Sequence, residues 1–260
     1  MKIARNAWLI FLVMAFACSG ASSSSSAPTA TSPTAASSIA PTFAVLVFSK
    51  TAGFRHDSIP VGIAAIQQQG RQRGFSVDAS EDSAVFTDES LAKYGVVVFL
   101  STTGDILNDA QQAAFEGFIH RGGGFVGVHS AADTEYDWPF YGGLVGAYFS
   151  GHPDIQTASL RIENPQHPST ADLPGTWVRK DEWYNFQRNP RGSVNVLATI
   201  DEGTYAGGTM SPDHPIAWSR AYEGGRTLYT AGGHTAESFS EPLFVNHIGS
   251  AIVWAALGRQ

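Results

Sequence analysis

The clearest structural pattern in the chain lies in residues 95–128, which read GVVVFLSTTGDILNDAQQAAFEGFIHRGGGFVGV. The segment begins and ends with a short apolar run, and such runs are typical of strands buried on both faces of a parallel sheet. Between them, Asn108 and Gln111 have the spacing of a helix-capping box. A strand, a helix and a strand in this order predict a right-handed crossover unit of an α/β fold.

The same alternation extends from this unit towards both ends of the chain. Helices are predicted at 61–73, 88–94 and 242–257, and strands at 43–48, 75–79, 156–162, 194–200, 216–222 and 226–231. Between residues 131 and 193 the periodic pattern weakens, so long loops are expected there. The sequence therefore predicts a doubly wound α/β fold with a mostly parallel sheet and long loops at the strand carboxyl ends.

The N-terminal region has the composition of an export signal. Residues 1–17 combine two basic residues with an apolar run of about eleven residues, which is too short to span a bilayer. Cys18, the only cysteine in the chain, follows directly and resembles the acylated cysteine of bacterial lipoproteins. We expect an exported protein, either a periplasmic or cell-surface lipoprotein anchored to the membrane through Cys18, or a secreted protein with a free Cys18.

The rest of the chain divides into a tether and one large domain. Residues 18–42 are almost entirely Ser, Ala, Thr and Pro, a composition that cannot bury enough apolar surface to fold. Residues 43–260 have the length of a single domain. The full chain carries a formal net charge of −7 and no basic cluster, which argues against nucleic acid as a partner.

Four histidines lie near the predicted ends of strands or in turn-like loops: His56, His129, His152 and His234. Ligands of open α/β sheets bind outside the carboxyl ends of the strands. Neutral imidazoles with one carboxylate suit zinc, manganese or a similar divalent ion. The sequence therefore predicts a metal site formed by these histidines, with Glu182 as a further ligand or as a general base.

Two other histidines and one serine allow different interpretations. His167 and His214 each precede a proline in a polar turn and are expected at the surface. Ser130 follows His129 at a strand-to-helix junction, where the nucleophile of a serine hydrolase would lie, although the chain has no G-x-S-x-G motif there. A helix-capping hydroxyl fits the same position.

The triglycine at 122–124 precedes a strand rather than a helix, so it is unsuited to cradling a phosphate. We therefore expect no nucleotide cofactor.

Aromatic residues accompany these candidates in two places. Trp138 and Tyr141 lie in one aromatic segment, and Trp183 and Tyr184 directly follow Glu182. Such side chains either stack on sugar rings or pack a loop over the sheet. With Asp133 as a polar partner, these four aromatic residues are the candidate substrate-binding groups.

Several motifs in this order resemble the ThuA-like family, named for a trehalose-utilisation protein. They are HDSI at 56–59, GGGFVGVHSA at 122–131, FSGHP at 149–153, DEWY at 181–184, DHPIAW at 213–218 and GGHT at 232–235. The resemblance implies a flavodoxin-like fold related to class I glutamine amidotransferases. Those relatives carry a catalytic cysteine where this chain has His129 and Ser130, so amidotransferase activity is not expected.

The resemblance also implies a role in carbohydrate metabolism, in particular with 3-keto-glycosides made by an NAD-dependent sugar dehydrogenase. Our leading hypothesis is a metal-assisted enzyme that isomerises or cleaves a sugar or keto-glycoside, with His129 and Glu182 in its catalytic centre. The alternatives are a non-catalytic, carbohydrate-binding surface lipoprotein and a serine hydrolase that uses Ser130.

Overall fold

The structure is a computed structural model and describes residues 42–257. The predicted signal segment and all but the last residue of the predicted tether lie outside this range, and the possible acylation of Cys18 therefore stays a prediction. Within residues 42–257, none of the helices has both the length and the apolar character needed to cross a bilayer.

Strands and helices alternate through the first part of the domain, and strands dominate the later part. The elements are β1 (Phe43–Phe48), α1 (Ile59–Arg73), β2 (Phe75–Ser80), α2 (Asp88–Leu91), β3 (Val96–Leu100), α3 (Asp109–His120), β4 (Gly124–Val128), α4 (Pro139–Val145), β5 (Phe149–Gly151), β6 (Gln156–Ile162), β7 (Thr176–Asp181), β8 (Asn185–Phe186), β9 (Asn195–Ile200), β10 (Pro215–Tyr222), β11 (Gly225–Thr230) and α5 (Pro242–Ala256).

The main sheet has the strand order β2-β1-β3-β4-β11-β10-β9-β6-β7. The first five of these strands are parallel, which confirms the predicted α/β class. The other four extend the sheet by antiparallel pairing, so the sheet is mixed over its full width. The change of direction occurs between β10 and β11, where Glu223 and Gly224 have left-handed φ values of 48° and 96°. A two-residue turn of this kind joins only antiparallel strands.

Local interactions establish the predicted helix ends. The Asn108 side chain accepts a hydrogen bond from the Gln111 backbone, and the Gln111 side chain accepts one from the Asn108 backbone, which confirms the capping box before α3. Gly74 ends α1 with a left-handed φ of 80°, a conformation that glycine adopts without steric cost.

The hydrophobic core lies on both faces of the parallel strands. All residues of β3 and β4 are buried, as the continuous apolar runs predicted. On one face, the Phe99 ring contacts the rings of Phe115, Phe125 and Tyr141 at centroid distances of 5.4, 5.5 and 5.6 Å. The core therefore includes Tyr141 from the segment after β4. The sequence alone allowed this residue in a core or in a sugar site.

The expectation that His167 and His214 lie at the surface is wrong, because their side chains are buried. His167 contacts Ser169 through Nδ1, and His247 of α5 donates from its own Nδ1 to the Ser169 carbonyl, at 2.8 Å in each case. Burial is the main cause that lowers the pKa of both His167 and His247 to about 4.

We expect the protein to lose stability as the pH falls from 7 towards 4. Both histidines stay neutral in the folded state until the pH approaches 4, whereas in the unfolded chain they take up protons below a pKa of 6.5. The unfolded state then binds more protons, so the free energy of unfolding decreases with decreasing pH, by about 3 kcal/mol for the fully buried His247.

Urea denaturation at pH 7 and pH 5 measures this effect. His247→Gln should flatten the pH dependence, and His120→Gln, at an exposed position in α3, should leave it as in the wild type. Equal pH dependence in the wild type and His247→Gln would contradict the assignment.

Candidate metal centre

Four side chains from distant parts of the chain meet at the carboxyl edge of the parallel strands. His56 comes from the loop after β1, His129 directly follows β4, Glu182 directly follows β7, and His234 lies in the loop after β11. One nitrogen or oxygen atom of each residue lies within 4.8 Å of the corresponding atoms of the others. We call these four residues the His3Glu cluster.

His129 makes three of the contacts in the cluster through its Nε2 atom. This atom lies 3.1 Å from His56 Nε2, 3.2 Å from His234 Nδ1 and 3.4 Å from Glu182 Oε2. Glu182 Oε2 also lies 3.0 Å from His234 Nδ1. His56, His129 and Glu182 are buried, and His234 is partly exposed, so the cluster is accessible from the side of His234.

The second nitrogens of two imidazoles are held by neighbours outside the cluster. His129 Nδ1 lies 2.8 Å from the Ala231 carbonyl, which can only accept, so Nδ1 carries the proton and Nε2 presents a lone pair to the cluster. His56 Nδ1 lies 3.4 Å from Ser130 Oγ. Metal-binding histidines in proteins are oriented by such contacts to their second nitrogen.

This arrangement fits a divalent cation. The His129 Nε2 lone pair faces His56 Nε2, His234 Nδ1 and Glu182 Oε2 within 3.4 Å, so the side-chain donor atoms converge as the ligands of one shared cation do. Three imidazoles and one carboxylate form a donor set typical of zinc and compatible with manganese.

The backbone at His129 is held in an unusual conformation. Its φ is 53°, in the left-handed region that residues other than glycine seldom adopt. The His129 carbonyl accepts a 2.8 Å hydrogen bond from the Tyr229 hydroxyl, and a short 3-10 turn over His129–Asp133 follows. Such a conformation costs about 1–3 kcal/mol and is found most often at functional sites. Here it turns the side chain from the end of β4 into the cluster.

The charges within the cluster are strongly coupled. Burial by itself would raise the pKa of the Glu182 carboxyl, but the contacts with the His129 and His234 imidazoles outweigh it and lower that pKa to about 2. Burial, together with the neighbouring histidines, lowers the pKa of His56 to about 3. Burial opposes protonation of His234, yet the contact with Glu182 raises its pKa overall. The cluster thus holds an ionised carboxylate and a neutral His56, the forms that bind metals.

A second buried carboxylate, that of Asp181, connects two segments of the cluster. Its Oδ2 accepts hydrogen bonds from the Gly233 backbone at 2.8 Å and the Ser238 hydroxyl at 2.9 Å. Its Oδ1 accepts from the backbones of Glu182 at 3.0 Å and His234 at 3.1 Å. Asp181 therefore fixes the chain at both Glu182 and His234. No sequence motif indicated this role.

The structure brings together three of the four predicted metal-binding histidines, and Glu182 completes the set. His152 lies beside the cluster, with its Nδ1 3.1 Å from Glu182 Oε1, and its side chain is 42% exposed. It therefore contacts the carboxylate oxygen that faces away from the cluster.

The predicted catalytic and substrate-binding residues have different environments. Ser130 is fully buried behind His56, where it is better placed to orient the imidazole than to attack a substrate. Trp138 and Tyr141 lie in the core, where the Tyr141 hydroxyl donates to the Ala131 carbonyl at 2.6 Å. Trp183 is also fully buried, with its indole nitrogen donating to the Gln156 carbonyl at 2.9 Å. A binding surface for sugars is therefore not available on these three aromatic side chains.

Tyr184 packs against a member of the cluster, and Asp133 ends the 3-10 turn that begins at His129. The Tyr184 ring is buried with its centroid 4.3 Å from that of His129. Asp133 is partly buried and accepts a 2.6 Å hydrogen bond from the Tyr136 hydroxyl. Burial raises the pKa of its carboxyl, while the hydrogen bond from Tyr136 and, to a smaller extent, His129 and His152 partly oppose that effect.

Phe54, which is not among the predicted site residues, is 65% exposed and has its ring centroid 4.8 Å from that of His56. The one available indication was a large apolar residue two positions before His56 in a polar loop.

The fold and the cluster together define a doubly wound α/β protein with a candidate His3Glu metal centre at the carboxyl edge of its parallel strands. A family model described as trehalose utilisation, ThuA, matches residues 44–255. The chain therefore belongs to the ThuA family, which implies a carbohydrate-related function.

Solved structures of ThuA-like proteins have the same fold. A ThuA-like protein of Bacteroides uniformis has 25% sequence identity and a TM-score of 0.71, over 83% of this chain and 92% of that one. A ThuA-like protein of Parabacteroides merdae has 22% identity and a TM-score of 0.70, over 84% and 91% of the two chains. The search of curated proteins found no significant match.

Proposed function

We propose that this protein is a metal-assisted enzyme that isomerises or cleaves a sugar or a 3-keto-glycoside. The observation that carries the proposal is the convergence of His56, His129, His234 and Glu182 on one point at the carboxyl edge of the sheet. Membership of the ThuA family supports the choice of a carbohydrate substrate. An NAD-dependent sugar dehydrogenase would supply the 3-keto substrate.

A divalent ion bound by the cluster would polarise a carbonyl or hydroxyl oxygen of the substrate. Glu182 is poorly suited to act as the general base, because its two oxygens contact three imidazoles. The low pKa of its carboxyl, about 2, also makes it a weak proton acceptor. We assign Glu182 the role of a ligand.

Asp133 is better suited to proton transfer. Tyr136 holds one of its carboxylate oxygens, and its carboxyl lies close enough to interact electrostatically with His129 and His152. Its environment raises the pKa of its carboxyl, whereas that of Glu182 is lowered, so Asp133 is the better proton acceptor of the two. Tyr184, packed against the His129 ring, excludes water from the buried side of the centre.

The test compares metal-stripped protein with protein reloaded with zinc or manganese, on a panel of 3-keto-disaccharides and their parent disaccharides, trehalose among them. We expect turnover only after reloading. Asp133→Asn should lower kcat by about 10²- to 10⁴-fold with full metal content. The exposed Asp137→Asn should behave as the wild type.

Turnover by the stripped protein at the rate of the reloaded protein would refute the metal-assisted mechanism. Sugar binding without turnover in either state would favour the non-catalytic carbohydrate-binding alternative.

A further inference from the structure

Phe54 is an exposed aromatic side chain beside the candidate metal centre. Its side chain is 65% exposed, the largest value among the exposed large apolar residues in the described part of the chain. Removing a phenyl ring from water is favourable, so an exposed ring beside a candidate functional site offers an apolar surface to a ligand that binds there.

The loop that carries Phe54 is fixed by the neighbouring loop after β3. Thr103 Oγ1 donates to the Phe54 carbonyl at 2.9 Å and accepts from the Gly53 backbone at 3.1 Å. The Ala52 backbone donates to the Thr103 carbonyl at 2.7 Å. The next residue, Arg55, forms two 2.7 Å hydrogen bonds with the Glu81 carboxylate. The ring is therefore presented from a preorganised backbone, which reduces the entropy cost of binding.

The ring stands on the accessible side of the His3Glu cluster. Its plane is nearly parallel to that of His234, at 10°, with the ring centroids 6.5 Å apart. It meets the His56 ring edge-on at 84°. His234 is the most exposed member of the cluster, so a ligand that reaches the centre past His234 comes alongside Phe54.

We propose that Phe54 is the stacking platform of a second sugar subsite that adjoins the metal centre, and that the ligand is a glycoside rather than a free monosaccharide. The inference rests on the proposed carbohydrate function. Aromatic rings bind sugars through the apolar C–H face of a pyranose, and Phe54 offers such a surface without a polar group. The reacting sugar would lie at the cluster, and the second ring of a disaccharide, or an aryl aglycone, would lie on Phe54.

The test measures binding of trehalose, phenyl glucoside and glucose by calorimetry to the wild type, Phe54→Ala, Phe54→Trp and Val178→Ala. Phe54→Ala should weaken binding of trehalose and phenyl glucoside by about tenfold and leave glucose binding unchanged. Phe54→Trp should retain binding of all three. Val178 is 61% exposed on β7, so Val178→Ala is the matched loss of an exposed apolar side chain and should bind as the wild type.

Three results would overturn the proposal: wild-type binding of all probes by Phe54→Ala, equal weakening for glucose and the two glycosides, or no binding of either glycoside by the wild type. Metal content and turnover are measured on the same variants. They distinguish failure of the subsite proposal from failure of the proposed enzyme activity. If the protein shows metal-dependent turnover but Phe54→Ala binds the glycosides as the wild type does, the subsite alone is refuted. If Phe54→Ala weakens glycoside binding but no variant shows turnover, the proposed enzyme activity is refuted and the subsite is retained.

Discussion

Replacing His129 with Ala is expected to abolish metal binding and, with it, turnover. After incubation with zinc or manganese, metal analysis should give near one equivalent per chain for the wild type and near none for His129→Ala. His129 Nε2 contacts all three other members of the cluster, so its removal leaves the remaining ligands without their central partner.

The matched control is His120→Ala, because His120 lies on α3 with a half-exposed side chain whose contacts, to Glu223 at 3.8 Å and to the Phe140 ring, involve no member of the cluster. It should retain the metal of the wild type. Circular dichroism of both variants checks that the fold is intact. Full metal content in His129→Ala, or no metal in the wild type after incubation, would refute the proposed centre. The second result would raise the sugar-binding alternative above the enzyme.

Replacing Asp181 with Asn is expected to lower the free energy of unfolding by about 3–5 kcal/mol. Asp181 is fully buried and accepts four hydrogen bonds, and an amide has only one oxygen with which to accept them. The substitution also removes the 3.1 Å ion pair with Arg179, whose guanidinium is buried and retains only Glu241 as an anionic contact. Breaking a buried network of hydrogen bonds and ion pairs is among the most destabilising changes that a single substitution makes.

Urea denaturation of Asp181→Asn measures this effect, with the exposed Asp154→Asn as the control. Asp154→Asn should change the free energy of unfolding by less than about 0.5 kcal/mol. The same Asp181 variant should bind metal more weakly, because Asp181 fixes the backbone of both Glu182 and His234. Wild-type stability of Asp181→Asn would show that the Asp181 network contributes little.

Much of the parallel half of the fold could be predicted because its determinants are local. The apolar runs of β3 and β4, the Asn108 capping box and the glycine that ends α1 depend on residues within a few positions of one another. These short-range interactions leave a periodic pattern that does not depend on the rest of the chain.

Strand β7 was missed because its inward-facing residues do not form an apolar pattern. Trp177, Arg179 and Asp181 point inwards, and two of them are charged. Their burial is stabilised by partners about 50 to 60 residues away, among them Glu241 and the backbone of Gly233. Nothing near β7 in the sequence predicts those partners, and β7 is the strand that delivers Glu182.

For the aromatic candidates too, the residue type could be read from the sequence, but burial or exposure of the side chain depends on the tertiary structure. Trp138, Tyr141 and Trp183 have side chains that suit a sugar site and a core equally well, and the structure buries all three. Phe54 was not selected from the sequence, yet it is the large aromatic side chain most exposed in the described chain.

The sequence alone was sufficient for the α/β class and for the elements of the parallel sheet, and it named the residues of the candidate metal centre together with His152, which lies beside it. Such properties follow from side-chain chemistry and from spacing within single elements. The membership and geometry of the centre depend on the tertiary structure, because His56, His129, Glu182 and His234 are brought together only where four separate strands end at one edge of the sheet. Whether an imidazole such as His152 lies inside or beside that centre depends on distances between chain segments, which no local pattern encodes.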